Sequence, residues 1–390
     1  MPLKHFLLTD QATSINEVEC AIGPDEVGGP ARGYRVRKQR LESGRSAGVE
    51  TVDVDNGLFR FRLLPTRGMG VWKAWLGEIE LGWRSPVRGP THPAFVPVEA
   101  PNGLGFLEGF DELLTRCGLV SNGAPDFDPR GKLLYPLHGR VANLPAHRLE
   151  ASVDGDSGEI RLTGEVSETR FLCHNLRLRS AIVTRVGQPG FSIEDEVTNE
   201  SALPMEIQLL YHINVGLPFL ESGARLVAPI QELAPRDARA AEGMATWDAY
   251  AEPQGGFAEQ VYFTRLRADA DGRSRVLLAD RAGQRGLSLA WPVEQLPYFV
   301  LWKNTVAEAD GYVTGLEPAT NLPNVRTFEG AEGRVVKLAP GETTRFSIEL
   351  RVAATAAEVA AEREAIRRLQ GAGEAVVHRR PRPGWTPGAS

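Results

Sequence analysis

Three side chains that can transfer protons stand in separate turn-rich stretches of this 390-residue chain. His138 lies in Leu-His-Gly-Arg, His212 in Tyr-His-Ile-Asn and Glu317 in Gly-Leu-Glu-Pro. One carboxylate and two imidazoles can supply the base and the acid that a proton-transfer reaction needs. Glu317 is flanked by leucine and proline, and desolvation in such surroundings raises the pKa of a carboxylate toward the range of a general base. These three residues are the candidate catalytic groups.

Four further residues are candidates for binding a polar ligand: Arg67, Arg140, Asn214 and Trp302. Arg67 precedes a glycine at a predicted strand end, where the backbone can approach a ligand closely. Arg140 follows the first histidine motif, and its guanidinium donates hydrogen bonds in a fixed plane. Asn214 ends the second histidine motif, and Trp302 offers an aromatic face. Taken singly, each is more common in an ion pair, a turn or the core; Arg140 and Asn214 also stand beside a histidine motif.

Metal and cofactor motifs are scarce in the sequence. It contains no phosphate-binding Gly-x-x-x-x-Gly-Lys-Ser/Thr loop, no dinucleotide-binding glycine motif and no His-Glu-x-x-His. Nucleophilic-serine chemistry is likewise not expected. The two histidines and Glu317 could ligate a metal, but no closely spaced histidine or cysteine pair supports such a site. We therefore predict an enzyme without a metal or a cofactor.

Composition excludes other classes of protein. The net charge is −6, so nucleic acid is not an expected partner. The three cysteines are odd in number and widely spaced, which favours a reducing compartment over a disulfide framework. No run of 18 apolar residues and no apolar signal segment occur. The sequence predicts a cytoplasmic protein without a membrane partner that acts on a small molecule, and it leaves the oligomeric state open.

Alternation of apolar and polar residues recurs along the chain and predicts half-buried antiparallel strands, as in Phe59–Leu63. Their spacing of roughly 8–12 residues favours an all-β fold, a large antiparallel sandwich or barrel. Helical periodicity is confined to Ala354–Leu369, which predicts a short C-terminal helix. A long polar loop is expected over 121–132. We predict one β domain over residues 1–376 and a loosely ordered C-terminal tail over 377–390.

The order of the three motifs and their positions along the chain resemble those of the galactose mutarotase-like (aldose 1-epimerase) superfamily, and most closely its bacterial branch of aldose epimerases. Members of this superfamily carry a His-Gly motif after a strand, a second histidine followed closely by asparagine, and a late Leu-Glu-Pro-like motif. The similarity of pattern extends from about residue 57 to residue 352. It implies a supersandwich of large antiparallel sheets.

The resemblance also implies a reaction, the interconversion of the anomers of a free monosaccharide or sugar derivative. Glu317 would remove the proton of the anomeric hydroxyl and His212 would protonate the ring oxygen, while His138 and Arg67 hold the sugar. The sequence departs from the superfamily pattern in having Arg140 where a second glycine is usual. Two alternatives stay open: a lyase or isomerase acting on a modified sugar, with or without a metal, and a non-catalytic carbohydrate-binding protein.

Overall fold

The structure is a computed structural model, and it describes residues 3–389. Its strands are β1 (Leu3–Asp10), β2 (Ile15–Asn16), β3 (Cys20–Ile22), β4 (Arg35–Arg40), β5 (Glu50–Asp55), β6 (Phe59–Leu64), β7 (Gly70–Leu76), β8 (Ile79–Leu81), β9 (Leu114–Leu119), β10 (Asp126–Phe127), β11 (Leu133–Tyr135), β12 (Arg148–Asp154), β13 (Glu159–Arg170), β14 (His174–Arg185), β15 (Gly190–Asn199), β16 (Met205–Val215), β17 (Arg225–Val227), β18 (Ile230–Pro235), β19 (Gln260–Leu266), β20 (Arg273–Ala279), β21 (Gly286–Pro292), β22 (Tyr298–Asn304), β23 (Val313–Ala319), β24 (Val336–Leu338), β25 (Thr343–Ala353) and β26 (Val376–Val377). The α-helices are α1 (Pro24–Val27), α2 (Ala238–Glu242), α3 (Arg326–Ala331) and α4 (Ala356–Gln370).

Two large sheets contain most of these strands. One has ten strands in the order β17-β20-β21-β25-β15-β14-β13-β12-β1-β2. The other has 14 strands, with the main order β26-β18-β19-β22-β23-β16-β9-β7-β6-β5-β4-β3 and with β24 and β8 paired to β16 and β7. Almost all neighbouring strands run antiparallel, and β18 with β26 is a parallel pair. The predicted all-β fold of large antiparallel sheets is confirmed.

The two sheets pack face to face through one apolar core. The rings of Phe61 in the larger sheet and Phe191 in the smaller sheet lie 5.0 Å apart, as centroids. A buried ion pair crosses the same layer, where Arg116 Nε donates to Asp195 Oδ2 at 2.5 Å and Tyr211 Oη donates to the same oxygen at 2.7 Å. A buried charge pair of this kind is costly unless its hydrogen bonds are satisfied, so it fixes the alignment of the sheets near β9 and β16.

Strand β16 shows how the larger sheet separates core from site. Its odd-numbered residues from Ile207 to Val215 belong to the core between the sheets. Its even-numbered residues, including His212 and Asn214, therefore point to the opposite face, because successive side chains of a strand alternate. Both sets are buried, so loops must cover the outer face of this sheet.

The C-terminal segments differ in how well the sequence predicted them. Helix α4 begins and ends within two residues of its predicted bounds, and Thr355 and Glu358 form a capping box at its start. Within the tail, Trp385 is only 2 % exposed and packs against the larger sheet. Met1, Pro2 and Ser390, which fall in the predicted domain and tail, lie outside the described residues. Across residues 3–389, every helix is too short or too polar to cross a membrane.

Candidate active site

A cavity of about 510 Å³ lies on the outer face of the larger sheet. Its floor is formed by side chains of four neighbouring strands: Val261 of β19, Trp302 of β22, Glu317 of β23 and His212 of β16. Its walls come from the loops around residues 83–110 and 121–139 and from residue 323. The sheet therefore holds the polar floor in a fixed geometry, and the loops shape the opening.

His212 and Glu317 form a buried acid–base pair on this floor. The pairing of Leu210 with Ala319 and of Ile213 with Leu316 places His212 directly opposite Glu317 on antiparallel strands. His212 Nε2 lies 3.2 Å from Glu317 Oε1, and the two residues are only 4 % and 2 % exposed.

Gly315 makes the close approach of this pair feasible. It lies two residues before Glu317 on the same face of β23. A Cβ atom at this position would lie 2.3 Å from Glu317 Oε1 and 3.0 Å from the Cε1 carbon of His212. Any side chain here would push the carboxylate away from the imidazole. The glycine of the Gly-Leu-Glu motif thus has a steric function rather than a conformational one.

Burial shifts both members of the pair toward their neutral forms. It raises the pKa of Glu317 well above its ordinary value, and the charge of Glu259 acts in the same direction. It lowers the pKa of His212 well below its ordinary value, His138 adds to this effect, and hydrogen bonding by Asn214 opposes it. Among the described residues Glu317 Oε1 accepts no hydrogen bond of good geometry, despite the short distance to His212. This oxygen is free to accept a proton from a ligand.

His138 enters the cavity from a tight turn after β11. Its φ angle is +59° and that of Gly139 is +71°, so two successive residues adopt the left-handed conformation. A non-glycine residue rarely does so, and such strain is typical of functional sites. A Cβ atom at residue 139 would meet the carbonyl oxygen of Ser121 at 2.0 Å, which explains the glycine of the His-Gly motif.

The tautomer of neutral His138 follows from one hydrogen bond. Its Nδ1 lies 2.9 Å from the carbonyl oxygen of Asn122, and a carbonyl can only accept. Nδ1 therefore carries the proton, and Nε2 is the basic nitrogen. Burial lowers the pKa of His138, although this hydrogen bond and the charge of Glu259 oppose the shift.

Aromatic rings enclose the two imidazoles. The ring of His212 makes edge contacts with Phe110, His138 and Trp302 at centroid distances of 5.1, 5.3 and 5.4 Å. Phe106 makes a similar contact with His138 at 4.9 Å. These contacts pack around both imidazoles and fix them relative to the carboxylate. They also leave the indole of Trp302 on the cavity floor.

The structure does not bring three of the predicted binding residues to the cavity lining. Arg67 is buried behind the wall, where it pairs with Glu112 and Asn143 and with two backbone carbonyls. Arg140 lies at the surface and pairs with Glu99 at 3.1 Å. Asn214 lies beside His212, and its amide donates to the carbonyl oxygen of Glu112 at 2.9 Å. All three therefore lie outside the cavity lining, whereas Trp302 lines the cavity as expected.

Two charged residues at the cavity rim were not identified from the sequence. Arg236 Nη2 donates to Glu259 Oε1 at 2.9 Å, and Trp302 Nε1 donates to Glu259 Oε2 at 2.7 Å. Glu259 therefore links Arg236, which follows β18, to Trp302 on the cavity floor. The available signal was weak: each residue stands next to a predicted strand, a position common to most charged residues of a β protein.

Metal binding and nucleophilic-serine chemistry each require a particular arrangement of side chains. Within residues 3–389, no cluster of three or more His, Cys, Asp and Glu side chains has the geometry to hold a metal ion. The pattern Gly-x-Ser-x-Gly occurs once, at Gly44–Gly48, which the expectation about serine chemistry overlooked. It forms an exposed 3₁₀ turn between β4 and β5, whereas a nucleophile elbow joins a strand to a helix.

Comparisons with known proteins agree with the geometry. Residues 46–352 match a family model described as a domain of unknown function, DUF4432. No curated protein matches the chain. A solved structure from Klebsiella pneumoniae, whose description as an aldose 1-epimerase is itself provisional, is 33% identical, with a TM-score of 0.94 over 97% of this chain and 99% of that one.

More distant structures share the fold alone. A galactose mutarotase-like protein from Clostridium acetobutylicum is 15% identical, with a TM-score of 0.57 over 82% of this chain and 98% of that one. An Escherichia coli K12 protein, again provisionally described as an aldose 1-epimerase, is 15% identical, with a TM-score of 0.52 over 78% of this chain and 99% of that one. The predicted superfamily is confirmed.

Proposed function

Because the chain belongs to the DUF4432 family and has the galactose mutarotase-like fold, we propose that it is an aldose 1-epimerase-like isomerase acting on a free monosaccharide or sugar derivative. The observation that carries the proposal is the buried pair of Glu317 and His212, whose reacting atoms are 3.2 Å apart on the cavity floor. A base and an acid so close can serve two oxygens bonded to the same carbon, which is the arrangement at an anomeric centre.

The reaction begins with one proton on the pair. In the reacting form this proton is on His212 and Glu317 is ionised. Glu317 takes the proton of the anomeric hydroxyl, the C1–O5 bond breaks as the C1=O1 bond forms, and His212 gives its proton to O5. Rotation about C1–C2 turns the other face of the aldehyde toward O5. Reclosure reverses both proton transfers and yields the other anomer with the enzyme unchanged.

The remaining floor residues support substrate binding. His138 offers Nε2 as an acceptor for a sugar hydroxyl, since its Nδ1 is engaged with Asn122. Trp302 offers the face of its indole, and Glu259 holds that indole in place. The cavity volume of about 510 Å³ falls within the range of small-molecule sites. These features fit a monosaccharide bound over the acid–base pair.

The wall of the cavity is more aliphatic than a fully hydroxylated sugar requires. Leu104 and Leu107 line it and remain 41 % and 46 % exposed, and Val87, Leu137 and Pro323 continue the same surface. A hydroxyl placed against such a surface loses its hydrogen bonds to water without replacement. This favours a sugar derivative that carries an apolar group in place of a hydroxyl remote from C1.

Proton NMR of freshly dissolved single anomers tests the proposal. Catalytic amounts of protein should accelerate equilibration of the two anomeric signals for at least one sugar of a panel, with no other product. A lyase or isomerase would instead produce new signals as the sugar disappears, and a binding protein would leave the rate unchanged. Either of these outcomes across the panel would replace the mutarotase assignment.

A further inference from the structure

The C-terminal tail, residues 376–389, runs along the edge of the larger sheet toward the cavity. Strand β26 pairs in parallel with β18 at Glu232 and Leu233. His378 Nε2 then lies 2.8 Å from Glu232 Oε1, and Arg382 Nε lies 2.6 Å from the same oxygen. These contacts fasten the tail to β18, the strand that directly precedes Arg236, a residue of the cavity rim.

Trp385 then inserts into the face of the sheet that carries the catalytic residues. Its indole packs in an apolar cluster with Val261, Val300 and Trp302, and its ring centroid is 6.2 Å from that of Tyr298. Val261 and Trp302 line the cavity, and Val300 is paired with the catalytic Glu317 across β22 and β23. The indole therefore covers the strip of sheet immediately beside the cavity floor.

Two hydrogen bonds join this part of the tail to the cavity wall. The side-chain amide of Asn324 donates to the carbonyl oxygen of Trp385 at 2.9 Å, and Asn324 directly follows the lining residue Pro323. Thr386 Oγ1 donates to the carbonyl oxygen of Arg236 at 2.9 Å. The tail thus contacts the backbone of the lining residue Arg236 and the side chain of Asn324, the neighbour of the lining residue Pro323.

We propose that the tail contributes to the active site by holding its lining in place and that Trp385 is a positioning residue for substrate binding. This inference rests on the proposed mutarotase function. Trp385 supports the segments that present Arg236, Val261 and Trp302, whereas no hydrogen bond or ring contact of residues 376–389 reaches the three catalytic side chains. Loss of the indole should therefore weaken binding of the sugar more than it slows the proton transfers.

The test measures KM and kcat for mutarotation with a set of tail variants. Trp385→Ala should raise KM about tenfold and change kcat by less than about threefold, because the lining shifts while the acid–base pair keeps its distance. Trp385→Phe retains a buried ring and should restore KM to within about threefold of the unaltered protein. Arg380→Ala alters an exposed residue of the same tail and should leave both constants unchanged.

Thermal unfolding of each variant separates positioning from general stability. A merely structural tail would lower the melting temperature of Trp385→Ala and leave KM unchanged in the temperature range where the variant is folded; that result would overturn the inference. If Trp385→Ala fails to fold, Thr386→Val removes the hydrogen bond to Arg236 alone, and an unchanged KM in that variant would be equally decisive. Lack of activity in the unaltered protein would instead refute the proposed function, and this inference with it.

Discussion

Replacement of Glu317 by glutamine should remove the base while leaving the site intact. The two side chains have the same shape, and the buried position is filled equally by either. Loss of a general base costs about 10²–10⁴-fold in rate, which at about 1.36 kcal/mol per tenfold corresponds to a barrier raised by about 3–5 kcal/mol. The upper part of this range is expected here, because His212, the titratable group 3.2 Å from Glu317, is the acid of the same reaction. Anomer equilibration followed by NMR or polarimetry measures the loss.

The matched control is Glu294→Gln, which makes the same chemical change at an exposed position outside the cavity lining. It should retain full activity. Circular dichroism and thermal unfolding establish that both variants are folded. If Glu317→Gln kept its mutarotase rate within a few-fold of the unaltered protein, Glu317 could not be the base, and the assignment of the buried pair would have to be abandoned.

Three further predictions concern pH, metal and substrate. Because the folded-state pKa of Glu317 lies above its unfolded value, the ionised group destabilises the fold increasingly as pH rises from the ordinary carboxyl pKa. Glu317→Gln should therefore gain stability relative to the unaltered protein as the pH rises above about 4.5, as measured by chemical denaturation; a difference that does not change with pH would contradict the raised pKa. The activity should persist in chelator, and loss in chelator with recovery on adding back one divalent ion would favour the metal-assisted lyase or isomerase. A 6-deoxyhexose should be a better substrate than its parent hexose by about 10–100-fold in kcat/KM, and Leu107→Ser should reduce this preference while Leu134→Ser, on an exposed strand outside the lining, should not.

The strands and the three motifs could be predicted because their signals are local. Alternation along β16 is visible in the sequence, and it follows directly from the two faces of a strand. The His-Gly motif and the glycine before Glu317 are also local, since they reflect a left-handed turn and a steric limit within one strand. The sequence indicates a turn-rich stretch around Glu317, whereas the structure places Glu317 and the following proline inside β23.

Long-range contacts explain what the sequence did not predict. The sequence around Arg67 favours a ligand site. Its ion-pair partner Glu112 is 45 residues away, and neither segment contains a pattern that predicts this ion pair. The tail is rich in proline and glycine, so its composition indicates a loose segment. Only the folded sheet provides the apolar strip that Trp385 covers. The predicted cytoplasmic location and the absence of a nucleic-acid partner stay predictions.

The alternation of β16 has a consequence for how this family can diversify. The same strand supplies the cavity's imidazole on one side and the packing of the two sheets on the other, so a shift by one residue would exchange His212 with Ile213 of the core. A change of register in β16 would therefore alter the cavity floor and the core at the same time. The exposed wall residues Leu104 and Leu107 lie outside the strands and have no such second role. New ligand preferences should arise, or be engineered, by substitution of such wall residues on an unaltered sheet.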